Sequence, residues 1–193
     1  LEEIEAFGNF LEDAIEVYVD IDKATKAVDK LTGEGLTQAN IDSAKALVEE
    51  LSYEGEGWHA GVLEELVEEL KSDLLAKIDE AQAELDYQAE LTKAKAAAQA
   101  IADAFDKSDE EFKTAFEDNA ANFGIDLAVY ETLSEEQKLA GLALLKEQLA
   151  DYQEFFQDYI DNTESLEEIE AFASFIEDAI EVYVDIDKAT KAV

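Results

Sequence analysis

Fifty aspartates and glutamates and one histidine, His59, are the side chains in this sequence with most chemistry to offer. General acid–base work needs two carboxylates held in a cleft with displaced pKa values. With so many acids, pairs at workable spacing occur everywhere, and pairing alone points to solvated helix faces. His59 follows Trp58 beside Gly57 at a loop-to-helix junction, and it reads as a surface or packing residue. One histidine and no cysteine leave no ligand set for zinc and no thiolate nucleophile. No GxSxG, glycine-rich phosphate loop or HExxH pattern is present. No catalytic residue is therefore assigned, and the expectation is a protein that is not an enzyme.

Calcium is the one cofactor with candidate ligands, because hard cations take clustered oxygens. The EF-hand template fails from Asp20, where Thr25 and Leu31 stand at its sixth and twelfth positions. It fails again from Asp118, where Phe123 and Val129 stand there. The densest oxygen cluster is Asp158, Asp161, Asn162, Thr163 and Glu164, so weak calcium sites fall on Asp158, Asp161 and Glu164. Glu54 and Glu56 near His59 are a second choice.

The charge balance excludes partners more firmly than it suggests them. Fourteen basic residues, all lysine, against fifty acids give a net charge of -36 over 193 residues. Such a chain repels nucleic-acid phosphates. No apolar run is long enough to insert into a membrane, and no basic, apolar-cored leader opens the sequence. Leu1 in place of a methionine reads as the start of a piece or of a processed product. At 48% hydrophobic residues the chain still has the apolar content to fold.

With no proline and only 8 glycines, few breakers interrupt helical periodicity. A first helix is expected over about residues 1–31. Ile4, Phe7, Leu11, Ala14, Tyr18, Ile21, Thr25 and Val28 form its main stripe. Phe10, Val17, Ala24 and Leu31 form a second, so this helix should touch more than one neighbour. Glu16 to Asp22 also alternates like a strand, but no breaker bounds it and helix is preferred. Thr37 starts a second helix. A long helical region over about 60–105 follows, whole or broken near Asp86–Leu91, with Leu63, Leu66, Leu70, Leu74, Ile78, Ala81 and Leu85 as its seam. Ser108 with Glu111, Ser134 with Gln137 and Ser165 with Glu168 are capping boxes that open further helices. The one after Ser134 is expected to run unbroken through Leu142, Leu145, Leu149, Tyr152, Phe156 and Tyr159.

Comparison of the two ends reveals a repeat. Residues 1–28, LEEIEAFGNFLEDAIEVYVDIDKATKAV, recur at 166–193 as LEEIEAFASFIEDAIEVYVDIDKATKAV. Twenty-five of 28 positions are identical at an offset of 165, the exceptions being Gly8/Ala173, Asn9/Ser174 and Leu11/Ile176. The expected architecture is thus all-α, an elongated multi-helix bundle. Residues 1–165 form one acidic repeat and 166–193 the first helix of the next. Each copy carries a net -6, which leaves -30 for one period. An array of such units is a polyanion that stays soluble and extended, or assembles only where salt or divalent ions screen it. The junction between repeats is assigned to Phe7, Phe10, Leu11 and Tyr18 and their copies Phe172, Phe175, Ile176 and Tyr183.

Residues 26–51, KAVDKLTGEGLTQANIDSAKALVEEL, resemble the small helical modules of bacterial cell-surface proteins, of surface-layer and repetitive-adhesin type. Those modules pair an A-x-x-A-V helix with a turn and a helix of the form L-T-Q-x-x-I-D-x-A-K-x-L-V. The resemblance implies a structural or adhesive role at the cell surface or outside the cell, with no catalytic residues to carry over. The expected function is a filament, stalk or lattice building block whose partners are neighbouring repeats or copies of itself. An adhesive, ligand-binding module and a designed helical protein remain as alternatives.

Overall fold

A computed structural model describes residues 2–53, 55 and 60–191. Trp58, His59, Glu54 and Glu56 lie outside the described residues. Among those described, all regular structure is helical, as the sequence predicts. The α-helices are α1 (Glu2–Val28), α2 (Gln38–Glu49), α3 (Ala60–Ala102), α4 (Asp109–Phe123), α5 (Glu135–Ala150), α6 (Gln153–Asn162) and α7 (Leu166–Lys191). Short 3-10 turns occupy Gly33–Gly35 and Tyr130–Thr132. The alternating Glu16–Asp22 stretch is helical, because the stripes around it bury at helical spacing. The long region over 60–105 is one helix through Asp86–Leu91, ending at Ala102. The chain nevertheless divides within α3 into two compact units, Leu1–Tyr87 and Gln88–Val193.

In the first unit, α1, α2 and the first part of α3 enclose a core of Val17, Ala24, Val28, Ile41, Ala44, Val48, Val67, Leu74 and Ile78. The α3 seam differs from expectation at one position: Val67 is buried and Leu66 faces outward. At about 100° per residue, Val67 lies about 20° from both Leu74 and Ile78 around the helix, whereas Leu66 lies about 80° from Leu74. Gly33, at φ 52°, supplies the left-handed turn after α1. The Thr37 hydroxyl then accepts from Asn40 N–H and caps α2. Past the far end of α2, Tyr53 donates its hydroxyl to Asp13 of α1 at 2.8 Å. Lys71 of α3 donates to the carbonyls of Glu49 and Leu51, at 2.9 and 3.0 Å, closing the end of α2.

The second unit repeats these devices with other residues. The tail of α3, α4, α5, α6 and α7 share a core that includes Ile101, Phe105, Phe112, Phe116, Phe123, Leu142, Leu145, Phe156 and Ile176. Lys95 of α3 donates to the carbonyls of Thr163 and Asp161 at the C-terminal end of α6, at 2.9 and 3.3 Å. Gln99 and Gln157 exchange amide hydrogen bonds at 3.0 and 2.9 Å, as Gln38 and Gln82 do in the first unit at 2.9 and 3.1 Å. Each of the four glutamines also donates to an aspartate four residues on, namely Asp42, Asp86, Asp103 and Asp161.

Helix ends follow the signals in the sequence with one exception. Ser108 and Ser134 form complete capping boxes with Glu111 and Gln137. At Ser165 the hydroxyl accepts from Glu168 N–H, but the Glu168 carboxylate takes Glu164 N–H instead. The exception is the helix after Ser134, which is two helices and not one. The chain leaves α5 at Asp151, Tyr152 adopts φ -117° and ψ 19°, and its N–H bonds Leu149 at 3.0 Å. The bend leaves Tyr152 exposed while Phe156 and Ile160 turn inward, so Tyr152 leaves the expected seam. No glycine or proline marks this point.

Gly124, at φ 98°, ends α4 in the left-handed cap position. A Cβ there would meet only Ala173, at an ordinary 3.8 Å, so a substitution suffers from backbone strain and not from crowding. Gly124→Ala is expected to lower stability by about 1–2 kcal/mol, measured as the urea midpoint at unchanged m value.

Candidate functional site

The two copies of the repeated helix offer a controlled comparison, because nearly identical sequence sits in two surroundings. In α7, Ile169, Ala173, Ile176, Ile180 and Val184 are buried against α4 and α5. In α1, the positions corresponding to four of them, Ile4, Leu11, Ile15 and Val19, are all exposed. Ile4 is 76% exposed against 2% for Ile169, and Leu11 46% against 0% for Ile176. The reverse holds for the other side. Val17 is 8% exposed in α1, packed with α2 and α3, whereas its copy Val182 is 59% exposed. Ala24 is buried and Ala189 exposed, and half-buried Ile21 corresponds to exposed Ile186.

No described position is buried in both copies. At 3.6 residues per turn, the side buried in α7 and the side buried in α1 are centred about 160° apart. The helix therefore has two apolar faces on opposite sides, and each copy uses a different one. This is the arrangement in which a helix can be packed from both sides at once.

The residues assigned to the junction from the sequence divide between these faces. Phe7, Leu11 and Tyr18 are exposed on α1, and Phe10 is half-buried, 6.4 Å from Phe7 between ring centroids. On α7, Ile176 is buried, Phe172 and Tyr183 are half-buried, and Phe175 is exposed. Phe172 stacks on Tyr159 at 4.5 Å and approaches Phe156 at 4.9 Å and Phe123 at 6.0 Å. The Tyr183 ring lies over Gly141 of α5, where an added Cβ would come within 2.8 Å of a ring carbon. A glycine at 141 is what lets α5 and α7 approach here. Polar contacts frame this berth: Gln137 donates to Asp187 at 2.5 Å, and Asp126 N–H donates to Glu177.

Beside the N-terminal half of α7 runs a groove of about 860 Å³, lined by Leu149, Tyr152, Phe155, Tyr159, Phe172 and Phe175, among others. Tyr152, Phe155 and Phe175 are exposed along it. Tyr152 belongs to the seam expected from the sequence, and Phe155 carries no such signal. The unmarked bend at Asp151 is what brings both outward.

The suggested calcium ligands do not come together. Asp158 accepts from Asn162 at 2.7 Å, Asp161 from Gln157 at 3.1 Å, and Glu164 is engaged through its N–H with Glu168. Among the described residues no three His, Asp or Glu side chains are grouped closely enough to hold a metal ion.

The densest polar cluster lies where α4 meets α5. Buried Tyr130 donates its hydroxyl to Glu117 at 2.6 Å. Lys113 bridges Glu117 and Glu135, at 2.9 and 3.1 Å, and Lys138 pairs with Glu135 at 3.0 Å while lying over the Tyr130 ring. Burial works to raise the Glu117 pKa, but the Tyr130 hydroxyl and the Lys113 ammonium outweigh it and hold the carboxyl below its ordinary value. Burial, reinforced by the Glu117 hydrogen bond, pushes the Tyr130 phenol far up, so it stays a donor. Each charge in the cluster has its counter-charge or donor at hand. That arrangement fastens α4 to α5 beneath α7; it is not a poised acid–base pair.

Two measurements follow. Ile176→Ala is expected to cost about 2–5 kcal/mol as a buried truncation, and Leu11→Ala at the same repeat position less than about 0.5 kcal/mol, both by urea unfolding. Because folding lowers the Glu117 pKa, its contribution is fully present above about pH 4.5 and is lost as pH falls through the folded-state value. Glu117→Gln should therefore flatten the acid limb of the stability curve between about pH 5 and 3 relative to the native chain. Superimposable limbs would show that the carboxylate contributes nothing. Comparison with family models, with curated proteins and with solved structures gives no match to this chain, so its function is argued from this geometry.

Proposed function

We propose that the chain is a structural repeat unit of a long extracellular or cell-surface protein, a building block of a filament, stalk or lattice. The observation that carries this reading is the pair of opposite faces on one repeated helix. In an array with a 165-residue period, the helix that closes one unit in the manner of α7 also opens the next in the manner of α1. Both apolar sides are then covered, and one helix becomes the wall that two units share. Asp178, exposed on α7, corresponds to Asp13, which receives the Tyr53 hydroxyl in the first unit. A following unit would bring its own tyrosine to that carboxylate.

The resemblance of residues 26–51 to helical modules of surface-layer and adhesin type supports placing such an array at the cell surface. The charge is consistent with that setting: -30 per period keeps the array soluble and makes its packing sensitive to salt. A second reading, an adhesive or ligand-binding module, is favoured by the aromatic groove along α7. It is compatible with the first, since a surface array can display a groove on every unit.

The shared wall is tested in a chain in which residues 1–165 are followed directly by residues 1–193. The absence of native cysteine allows thiol labelling at single introduced positions. In the 193-residue protein, the thiol of Leu11→Cys should react fast and that of Val17→Cys slowly. In the central copy of the longer chain both should react slowly, by at least about tenfold for Leu11→Cys, the factor that about 1.4 kcal/mol of protection gives. Fast labelling of Leu11→Cys in the central copy would overturn the reading.

A further inference from the structure

We propose that the exposed face of α1 is a docking surface for a second copy of this chain, whose α4–α5 face receives it in the berth that α7 fills within its own molecule. The inference rests on reading the repeated helix as a shared wall. It goes further in naming the occupant of that face when separate molecules meet.

The berth holds α7, whose sequence differs from that of α1 at three positions. Ile4, Leu11, Ile15 and Val19 would take the places of Ile169, Ile176, Ile180 and Val184, three of them with the same residue type. Tyr18 would lie over Gly141 as Tyr183 does. The polar frame carries over as well, because Glu12 and Asp22 stand where Glu177 and Asp187 accept hydrogen bonds from Asp126 N–H and Gln137. Gly8 replaces Ala173 and adds no clash, but it forfeits one buried methyl.

Two factors set when the exchange occurs. α7 is tied to α6 by Thr163–Ser165, which gives it a high effective concentration at its own berth. An incoming α1 must compete with it, and two chains of charge -36 repel one another before they meet. Docking therefore requires concentrated protein and screening salt. Since α1 and the berth are different surfaces, the contact is head-to-tail, and its products are dimers and larger oligomers, open or closed into rings.

The test uses the full chain with Tyr18→Cys and Gly141→Cys, oxidised at high protein concentration in about 0.5 M salt, where the Debye length is only a few ångströms. The control is Glu5→Cys with Gly141→Cys, since Glu170, the matching residue of α7, is exposed and off the berth. Both pairs carry the same pressure of the residue-141 side chain on Tyr183. The proposal expects a non-reducing ladder of dimers and larger species from the first pair, several-fold above the control. Adding Leu11→Asp to the first pair should abolish the ladder with the circular dichroism unchanged. Equal cross-linking by the two pairs, disulfide-bonded monomer alone, or a ladder indifferent to Leu11→Asp would each overturn it. If no ladder forms while the two-unit chain still protects Leu11→Cys, the shared wall stands and docking between separate molecules fails.

Discussion

A helix with two opposed apolar faces must find cover on both sides or leave one in water, and much of this molecule is organised around that constraint. The hydrophobic effect is close to proportional to the apolar area removed from solvent, with no direction of its own. It cannot by itself choose which face of the repeated sequence to bury. The choice is made by neighbours. α2 and α3 present Val48, Val67 and Leu74 to one side of α1, while α4 and α5 receive the opposite side of α7 with Gly141 and the polar pair Gln137–Asp187. The same residues are core in one copy and surface in the other, and their identity alone predicts neither.

Fifty acids make the placement of fourteen lysines consequential. Lys71 and Lys95 donate to carbonyls where α2 and α6 end, and Lys146 donates to the Lys107 carbonyl and to Asp109 at the start of α4. Lys71 and Lys95 thereby complement orphaned carbonyls and the negative end of the helix dipole, whereas Lys146 is held at the start of α4 by the Asp109 carboxylate. Lys113 and Lys138 gather Glu117 and Glu135 around Tyr130. The four paired glutamines do comparable work without charge, linking α3 to α2 in one unit and to α6 in the other. Neutral amides suit contacts in a field this negative, because they satisfy one another without adding repulsion.

How much of this could be read from the sequence depends on where the information lies. Local signals sufficed for the helices and most of their ends: Ser108 and Ser134 announce caps that form as expected, and Gly33 and Gly124 sit where left-handed backbone is required. The division of α5 from α6 was not legible, since neither Asp151 nor Tyr152 is a helix breaker and no side chain caps the start of α6. The bend there follows from tertiary packing, in which Phe156 and Ile160 turn toward Phe105, Phe123 and Phe172. The calcium ligands failed for a related reason: proximity along a helix did not become convergence in space, because Gln157 and Asn162 already engage Asp161 and Asp158. Of the repeated helix, the presence of more than one apolar side was legible, and Val17 and Ala24 of the second stripe fall on the face that α1 buries. The main stripe did not stay on one face: Ile4 and Leu11 match the side that α7 buries together with the copies of Ile15 and Val19, whereas Ile21 and Val28 pack with Val17 and Ala24 in α1.

The three differences between the copies are informative for the same reason. Gly8/Ala173 and Leu11/Ile176 fall on the face that α7 buries and α1 exposes, whereas Asn9/Ser174 is exposed in both. The face packed against α2 and α3, carrying Val17, Ile21 and Ala24, is reproduced without change in α7, where it meets solvent. An apolar surface of Phe175, Val182 and Ile186 kept intact on a helix that makes no use of it in this unit has a solvation cost. That cost is offset only where something covers the surface. The chain itself contains a matching cover, the α2–α3 face that packs on Val17 and Ala24, and a unit placed after α7 would supply it again. The two changed positions on the other face have the complementary logic: Ala173 and Ile176 fill a berth closed against Gly124, α4 and α5, and Gly8 and Leu11 occupy the same positions where no such wall is packed against them.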